Sequence, residues 1–382
     1  MLPRRRACCA TLLLTAGLVA GCASAPSRPA AVQASAVTAP LATSLTAAGG
    51  NSWAVVPMGG AAAQENLFWE LFTRPAASSR WELVTPPGVA DNGGLVAAGP
   101  AGGRLDVAFR PSQGLTFSPL ASTANGGQTW GTGLIDAPVA AAPDGLAADS
   151  AGMLALLSDG GIEQAAATGT GWARLAAPGA IAGSAAGRGC AVTGLTAVAY
   201  TPSGTPLAAA GCARPGVAGI FALIGGTWQA AGPTLTGPFA ARPVRVLRLA
   251  GAATGNAALL QAGTGTSASL LAAWAAGGST WSVSPPLTLG TGQVLASGTG
   301  AGAAVWVLLS DGRAETIAGP GAAWRQLPAP PRGTATLAAG LAGDFDALAV
   351  SAGNLTVYQL TAAGAWLETQ VISVPIQYGS SS

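Results

Sequence analysis

Arg242, Arg245 and Arg248 recur at intervals of three residues. A guanidinium offers a planar fork of N–H donors that fits carboxylate and phosphate oxygens, so this run is a candidate site for an anionic ligand or partner. A strand turns successive side chains to opposite faces, so the three cannot all point one way; the plain alternative is arginines along a solvated edge. Asp344-Phe345-Asp346 places two carboxylates on alternate residues. A calcium loop needs more oxygen ligands, so a turn between strands is expected there. Tyr200, Tyr358 and Tyr378 are the only tyrosines. The chain has no His, and all 17 basic residues are Arg. Histidine catalysis, histidine metal sites, a lysine Schiff base and a P-loop lysine are therefore excluded. The reading is no catalytic residue, no metal and no cofactor. A net charge of +2 also argues against nucleic-acid binding by a basic surface.

The N-terminus reads as an address. Arg4, Arg5 and Arg6 precede a short apolar run from Ala10 to Ala20, too short to span a bilayer unaided. It ends in Val19-Ala20-Gly21-Cys22, which resembles the bacterial lipobox. The resemblance implies that residues 1–21 are a signal peptide and that Cys22 becomes a lipidated N-terminus. The protein would then sit on the extracytoplasmic face of the cell membrane, held by its lipid. The alternative is a plain secretory signal cut after Ala23-Ser24-Ala25. Without residues 1–21, fourteen arginines face fifteen acids, so the net charge becomes −1. Cys8 and Cys9 leave as well, and Cys190 and Cys212 remain as a pair in an oxidising compartment. A disulfide is the default, worth roughly 3 kcal/mol for a loop of this length; two buried free thiols are the alternative. Residues 22–48 are mostly Ala, Ser, Thr and Pro with one charged side chain, Arg28, and read as a disordered tether.

These residues need elements to position them. Trp81, Trp130, Trp172, Trp228, Trp281, Trp324 and Trp366 are 42 to 56 residues apart. Leu154-Ala155-Leu156-Leu157-Ser158-Asp159-Gly160 aligns without gaps on Trp306-Val307-Leu308-Leu309-Ser310-Asp311-Gly312. A period of ~40–50 residues marks propellers and other repeat arrays. Short apolar runs, Gly-rich turns and a closing Pro recur in most units, which indicates all-β structure with no helical segment. The fold expected is a seven-bladed β-propeller over 49–379, monomeric, with the tail Val371 to Tyr378 completing the first blade.

Residues 123–130 carry one further motif. Thr123, Asn125, Gly127, Thr129 and Trp130 resemble the Asp-box, or BNR repeat, with Asn125 in place of the usual Asp. The motif is structural: an Asx side chain caps turn amides and the Trp packs between sheets. The resemblance points to the superfamily of sialidases, sortilin-like receptors and photosystem-assembly propellers. Sialidases would require an arginine triad, a Tyr–Glu pair and an Asp. Phe109-Arg110-Pro111 resembles their Phe-Arg-Ile-Pro signature without the Ile, and the other residues cannot be placed by motif. The function expected is a non-catalytic binding or scaffold module for a protein, peptide or glycan. The alternatives are a divergent sialidase-like glycoside hydrolase and an assembly factor for a membrane complex.

Overall fold

The computed structural model describes residues 43–46, 51–58, 68–76, 78–85, 95–98, 104–109, 120–131, 143–150, 152–167, 169, 171–252, 255–276, 280–300, 303–340, 343–351 and 353–374. The expected signal peptide, Cys22, residues 23–42 of the expected tether, Arg110 and Tyr378 lie outside them.

The chain folds as successive antiparallel meanders. The first sheet is β1 (Thr43–Thr46), β2 (Ser52–Met58), β3 (Phe68–Arg74) and β4 (Glu82–Leu83). Next come β5 (Leu95–Ala98), β6 (Leu105–Phe109) and β7 (Leu120–Thr123), with Gly131 bridging to Ser122 at the outer edge. The third sheet is β8 (Pro143–Ala148), β9 (Met153–Leu157), β10 (Ile162–Ala165) and β11 (Ala173–Ala176). Two short helices follow, α1 (Ala180–Gly183) and α2 (Ala185–Cys190). A nine-stranded sheet then contains two meanders. One is β12 (Val192–Tyr200), β13 (Pro206–Cys212), β14 (Gly219–Ile224) and β15 (Thr227–Ala230). The other is β16 (Val244–Ala252), β17 (Gly255–Ala262), β18 (Ser269–Ala275), β19 (Trp281–Val283) and β20 (Leu287–Thr288). They are joined where Gly211 and Cys212 pair with Arg245 and Val244. The last two sheets are β21 (Val294–Thr299), β22 (Val305–Leu309), β23 (Ala314–Ile317), β24 (Arg325–Gln326), and β25 (Thr334–Ala339), β26 (Phe345–Ser351), β27 (Asn354–Leu360), β28 (Trp366–Ser373).

The first strand of each meander touches the first strand of the next. Contacts run β5 to β8, β8 to β12, β12 to β16, β16 to β21, β21 to β25 and β25 to β1, and β2 meets β5. Meanders arranged in a ring with one strand each around the axis form a β-propeller. The core lies between sheets. Leu156, Val198 and Phe221 share one such cluster, and Val56, Phe72 and Val357 another. Both faces of a middle strand are covered, so β9 and β22 are buried along their whole length and read as continuous apolar runs rather than alternating ones.

The seven tryptophans have one structural role. Each stands at or beside the first residue of an outer strand, or beside Gly131 in the second sheet. Three reach back to the preceding meander: Trp281, Trp324 and Trp366 donate their indole N–H to the carbonyls of Ala231, Pro285 and Pro328, at 2.6, 3.0 and 3.0 Å. The aligned repeat turns also match. Asp159 Oδ1 accepts from Gly161 N–H at 2.7 Å and Asp311 Oδ1 from Arg313 N–H at 3.1 Å. Gly160 and Gly312 supply the left-handed backbone at φ 81° and 84°.

Three expectations need correction. Val371, Ile372 and Ser373 do not complete the first sheet; they are the end of β28 and pair with β27. The first sheet is completed from the other side by β1, which lies inside the segment expected to be tether. A four-residue strand in Ala/Ser/Thr-rich sequence has no periodic signal long enough to distinguish it from coil. The helices α1 and α2 were not anticipated either, because each is too short to show a helical period. Ser184 caps α2, its hydroxyl accepting from Gly187 N–H at 2.9 Å.

Candidate functional site

Arg242 lies in the connection before β16. Its guanidinium donates to Ser267 O at 2.6 Å and sits 5.6 Å from the Phe239 ring centre. Arg245 and Arg248 stand on β16 itself. Simple alternation would put them on opposite faces. The register breaks between Val246 and Arg248, so Arg245 faces Gln261 and Arg248 faces Leu259. Those partners are two residues apart on β17, so the two arginines share one face. The same break recurs on other first strands, where the residue after it is Gly145, Ala296 or Thr336. On β16 that place holds Arg248. Its Nε donates to Ser297 Oγ on β21 at 3.0 Å, and burial lowers its pKa to about 10. Arg248 is thus an inter-sheet residue, Arg245 is half-buried, and Arg242 stands at the rim.

That rim carries two arginines the sequence reading did not single out. Cys190 and Cys212 form a disulfide, with Cα atoms 5.1 Å apart, fastening α2 to the end of β13. Arg188 and Arg214, both exposed, are two residues from either end of the bridge. Backbone hydrogen bonds stitch the segments together. Ala213 and Arg214 N–H donate to Ala191 and Cys190 O, Gly216 N–H to Arg242 O, and Gly263 N–H to Pro243 O. The disulfide, α2, the 213–217 turn and the connection into β16 therefore hold Arg188, Arg214 and Arg242 on one rim.

A sequence signal existed for this region. Residues 164–310 contain no Asp or Glu, yet hold Arg174, Arg188, Arg214, Arg242, Arg245 and Arg248. All fifteen acids lie elsewhere. A net charge near zero conceals the segregation, which only a windowed reading exposes.

Five of the twelve described acids are turned inward. Asp106, Asp144, Glu163, Glu315 and Asp346 are buried. Asp106 pairs with Arg104 at 2.8 Å, Glu163 with Arg174 at 2.9 Å and Asp346 with Arg74 at 2.6 Å. Burial raises the Asp106, Glu315 and Asp346 carboxyls above their ordinary values. Asp344-Phe345-Asp346 does not make a cation loop: Asp346 is on β26 and binds Arg74 and the Trp81 indole, at 2.6 and 2.8 Å. Among the described residues, no group of three His, Cys, Asp or Glu side chains could hold a metal ion.

Residues 123–130 form a closed turn. Asn125 Oδ1 accepts from Thr129 N–H at 3.0 Å, Asn125 Nδ2 donates to Thr129 Oγ1 at 2.8 Å, and Gly127 N–H donates to Thr123 Oγ1 at 2.9 Å. Trp130 packs against the cluster of Trp53, Val55 and Val107 between the first two sheets. These contacts account for the motif residues locally. Tyr200 is buried and its hydroxyl is pushed up to about 12, chiefly by burial. Tyr358 stands opposite Glu368, but on the outer strand pair of the last sheet rather than at the axis.

No protein-family model and no curated protein sequence matches the chain. Solved structures match in fold. The chain is similar to YCF48 from Cyanidioschyzon merolae at 13% identity and a TM-score of 0.51, over 81% of this chain and 93% of that one. The fold is that of a β-propeller. A protein from Lactobacillus plantarum matches at 11% identity and a TM-score of 0.51, over 85% and 97% of the two chains. The WD40 β-propeller domain of Doa1 matches at 9% identity and a TM-score of 0.46, over 82% and 92%. At such identities the likeness concerns architecture alone.

Proposed function

We propose that the protein is a lipid-anchored, extracytoplasmic binding or scaffold module for a protein, peptide or glycan, built on a seven-bladed propeller and without catalysis of its own. The observation that carries this is the division of charge. Of the carboxylates, the groups from which a His- and Lys-free enzyme would draw its acid and base, the buried Asp106, Glu163 and Asp346 are each held in an ion pair with an arginine. Arginines, which recognise anionic groups without chemistry, occupy the loop rim. Counting the two meanders of the nine-stranded sheet separately supports a count of seven blades. The anchor follows from the lipobox-like Cys22, and the extracytoplasmic location is supported by the Cys190–Cys212 disulfide.

Cross-linking and pull-down from membranes, together with a glycan-turnover panel, tests the reading. A specific cross-linked partner and no turnover are expected; turnover of a glycan without a partner would overturn it. Acyl labelling that disappears in Cys22→Ser tests the anchor, and labelling that persists would refute it.

A further inference from the structure

We infer that the rim bearing Arg188, Arg214 and Arg242 docks onto an anionic phospholipid surface. Three observations converge. The first is charge: α2, the 213–217 turn and the connection into β16 lie in the acid-free stretch 164–310, so no carboxylate on these segments offsets their arginines, whereas the equivalent β9–β10 and β22–β23 turns carry the exposed Asp159 and Asp311. Arg188 and Arg214 are exposed and Arg242 partly so. The second is the character of the surface. The exposed large apolar residues of the described chain are Ile224, Val283, Leu295, Leu367 and Val371. None stands on α2, on the 213–217 turn or on the connection into β16. A protein partner is usually gripped by a buried aromatic or aliphatic anchor, and an inserting membrane segment by an apolar wedge. This rim offers guanidinium groups instead, which suit a plane of phosphate headgroups.

The third observation is where the chain enters. β12 and β16 both pair antiparallel with β13, so they run parallel, and both begin at this rim, at Val192 and Val244. β1 holds the same first place in its own meander, so the chain reaches Thr43 from the same side of the ring. This part rests on the lipid anchor proposed above. With the proposed anchor ahead of Thr43, the side on which β1 begins is the side of the arginine rim.

The test uses the full chain carrying Cys22→Ser, so that acylation plays no part. Co-sedimentation with phosphatidylglycerol vesicles is compared with phosphatidylcholine vesicles, for that chain and for the same chain with Arg188→Gln and Arg214→Gln. Each arginine near an anionic surface is worth about five-fold in binding, so the double substitution should weaken binding to phosphatidylglycerol on the order of twenty-five-fold. It should leave the weak phosphatidylcholine binding and the melting temperature unchanged, and salt should abolish the difference. Equal binding to both lipids, or no loss in the substituted chain, would overturn the inference. So would capture by soluble polyglutamate or polyphosphate in preference to the vesicles. Because acyl labelling of the unsubstituted chain is scored separately, failure of the rim and failure of the anchor are distinguishable.

Discussion

The junction between the two meanders of the nine-stranded sheet and the junction joining the first sheet to the last solve one packing problem with different bonds. At the former, β13 pairs directly with β16, and the disulfide locks α2 beside that pairing. Trp281 adds the repeat's usual tie, its indole donating to a backbone carbonyl of the preceding meander. At the latter, side chains do the work. Trp81 donates instead to the Asp346 carboxylate, which also holds Arg74, and Arg74 lies 5.7 Å from the Trp81 ring centre. The Gln370 amide accepts from Trp81 N–H and donates to Trp81 O, at 2.9 and 2.8 Å, as a strand neighbour would. Partners adjacent in the chain can share backbone; the two ends of a ring meet across more than 260 residues and here use a buried ion pair.

The contrast is broken most directly at Asp346. Asp346→Ala leaves Arg74 and the Trp81 indole without their shared acceptor, and a loss of about 3–5 kcal/mol in urea unfolding is expected. Asp346→Asn keeps an acceptor for the indole and should cost less than half of that; equal losses would show that the charge, rather than the hydrogen bond, holds the junction.

Cys190→Ser attacks the other junction. It should remove the non-reducing gel shift and cost about 3 kcal/mol. Loss of the shift with an unchanged melting temperature would mean that the backbone pairing there suffices.

The junctions should also differ in pH response. Burial outweighs the attraction of Arg74 and raises the Asp346 carboxyl above 3.8. The folded chain then holds that proton more tightly than the unfolded chain does. The contribution is full below the unfolded value and is lost as pH rises through the folded one. The Asp346 contribution should therefore decline as pH climbs from about 4 through the folded-state value, and Asp346→Asn should remove that component of the profile. An identical profile in both proteins would refute the assignment. Cys190→Ser should leave the slope unaltered, since a disulfide does not titrate.

The smallest effect is local. Asn125→Ala removes the side chain that binds Thr129 N–H and Oγ1, costing about 1 kcal/mol in thermal unfolding. A loss above about 3 kcal/mol would show that the turn supports more than its own sheet.

Much of the architecture was legible along the chain. Tryptophan spacing, apolar runs and Gly-rich turns marked the repeating meander because each is set by local geometry: strand length, turn conformation and the place where an indole must pack. The cysteine pair was legible for a similar reason, since export and parity leave few choices. The arginines were only partly so. Strand alternation misplaced Arg245 relative to Arg248 because one extra residue at Leu247 resets the register, and nothing in the residue types announces it. The acid-free stretch that sets apart Arg188 and Arg214 was readable but hidden by a net charge near zero.

The sequence by itself determined the β class, the repeat, the pairing of Cys190 with Cys212 and the absence of His and Lys chemistry. Tertiary structure alone decided how the ring closes, which acids are buried, and which arginines share a rim. Those properties depend on residues far apart in the chain meeting across sheets. A local pattern can specify a strand or a turn, but it carries no record of which distant side chain will face it.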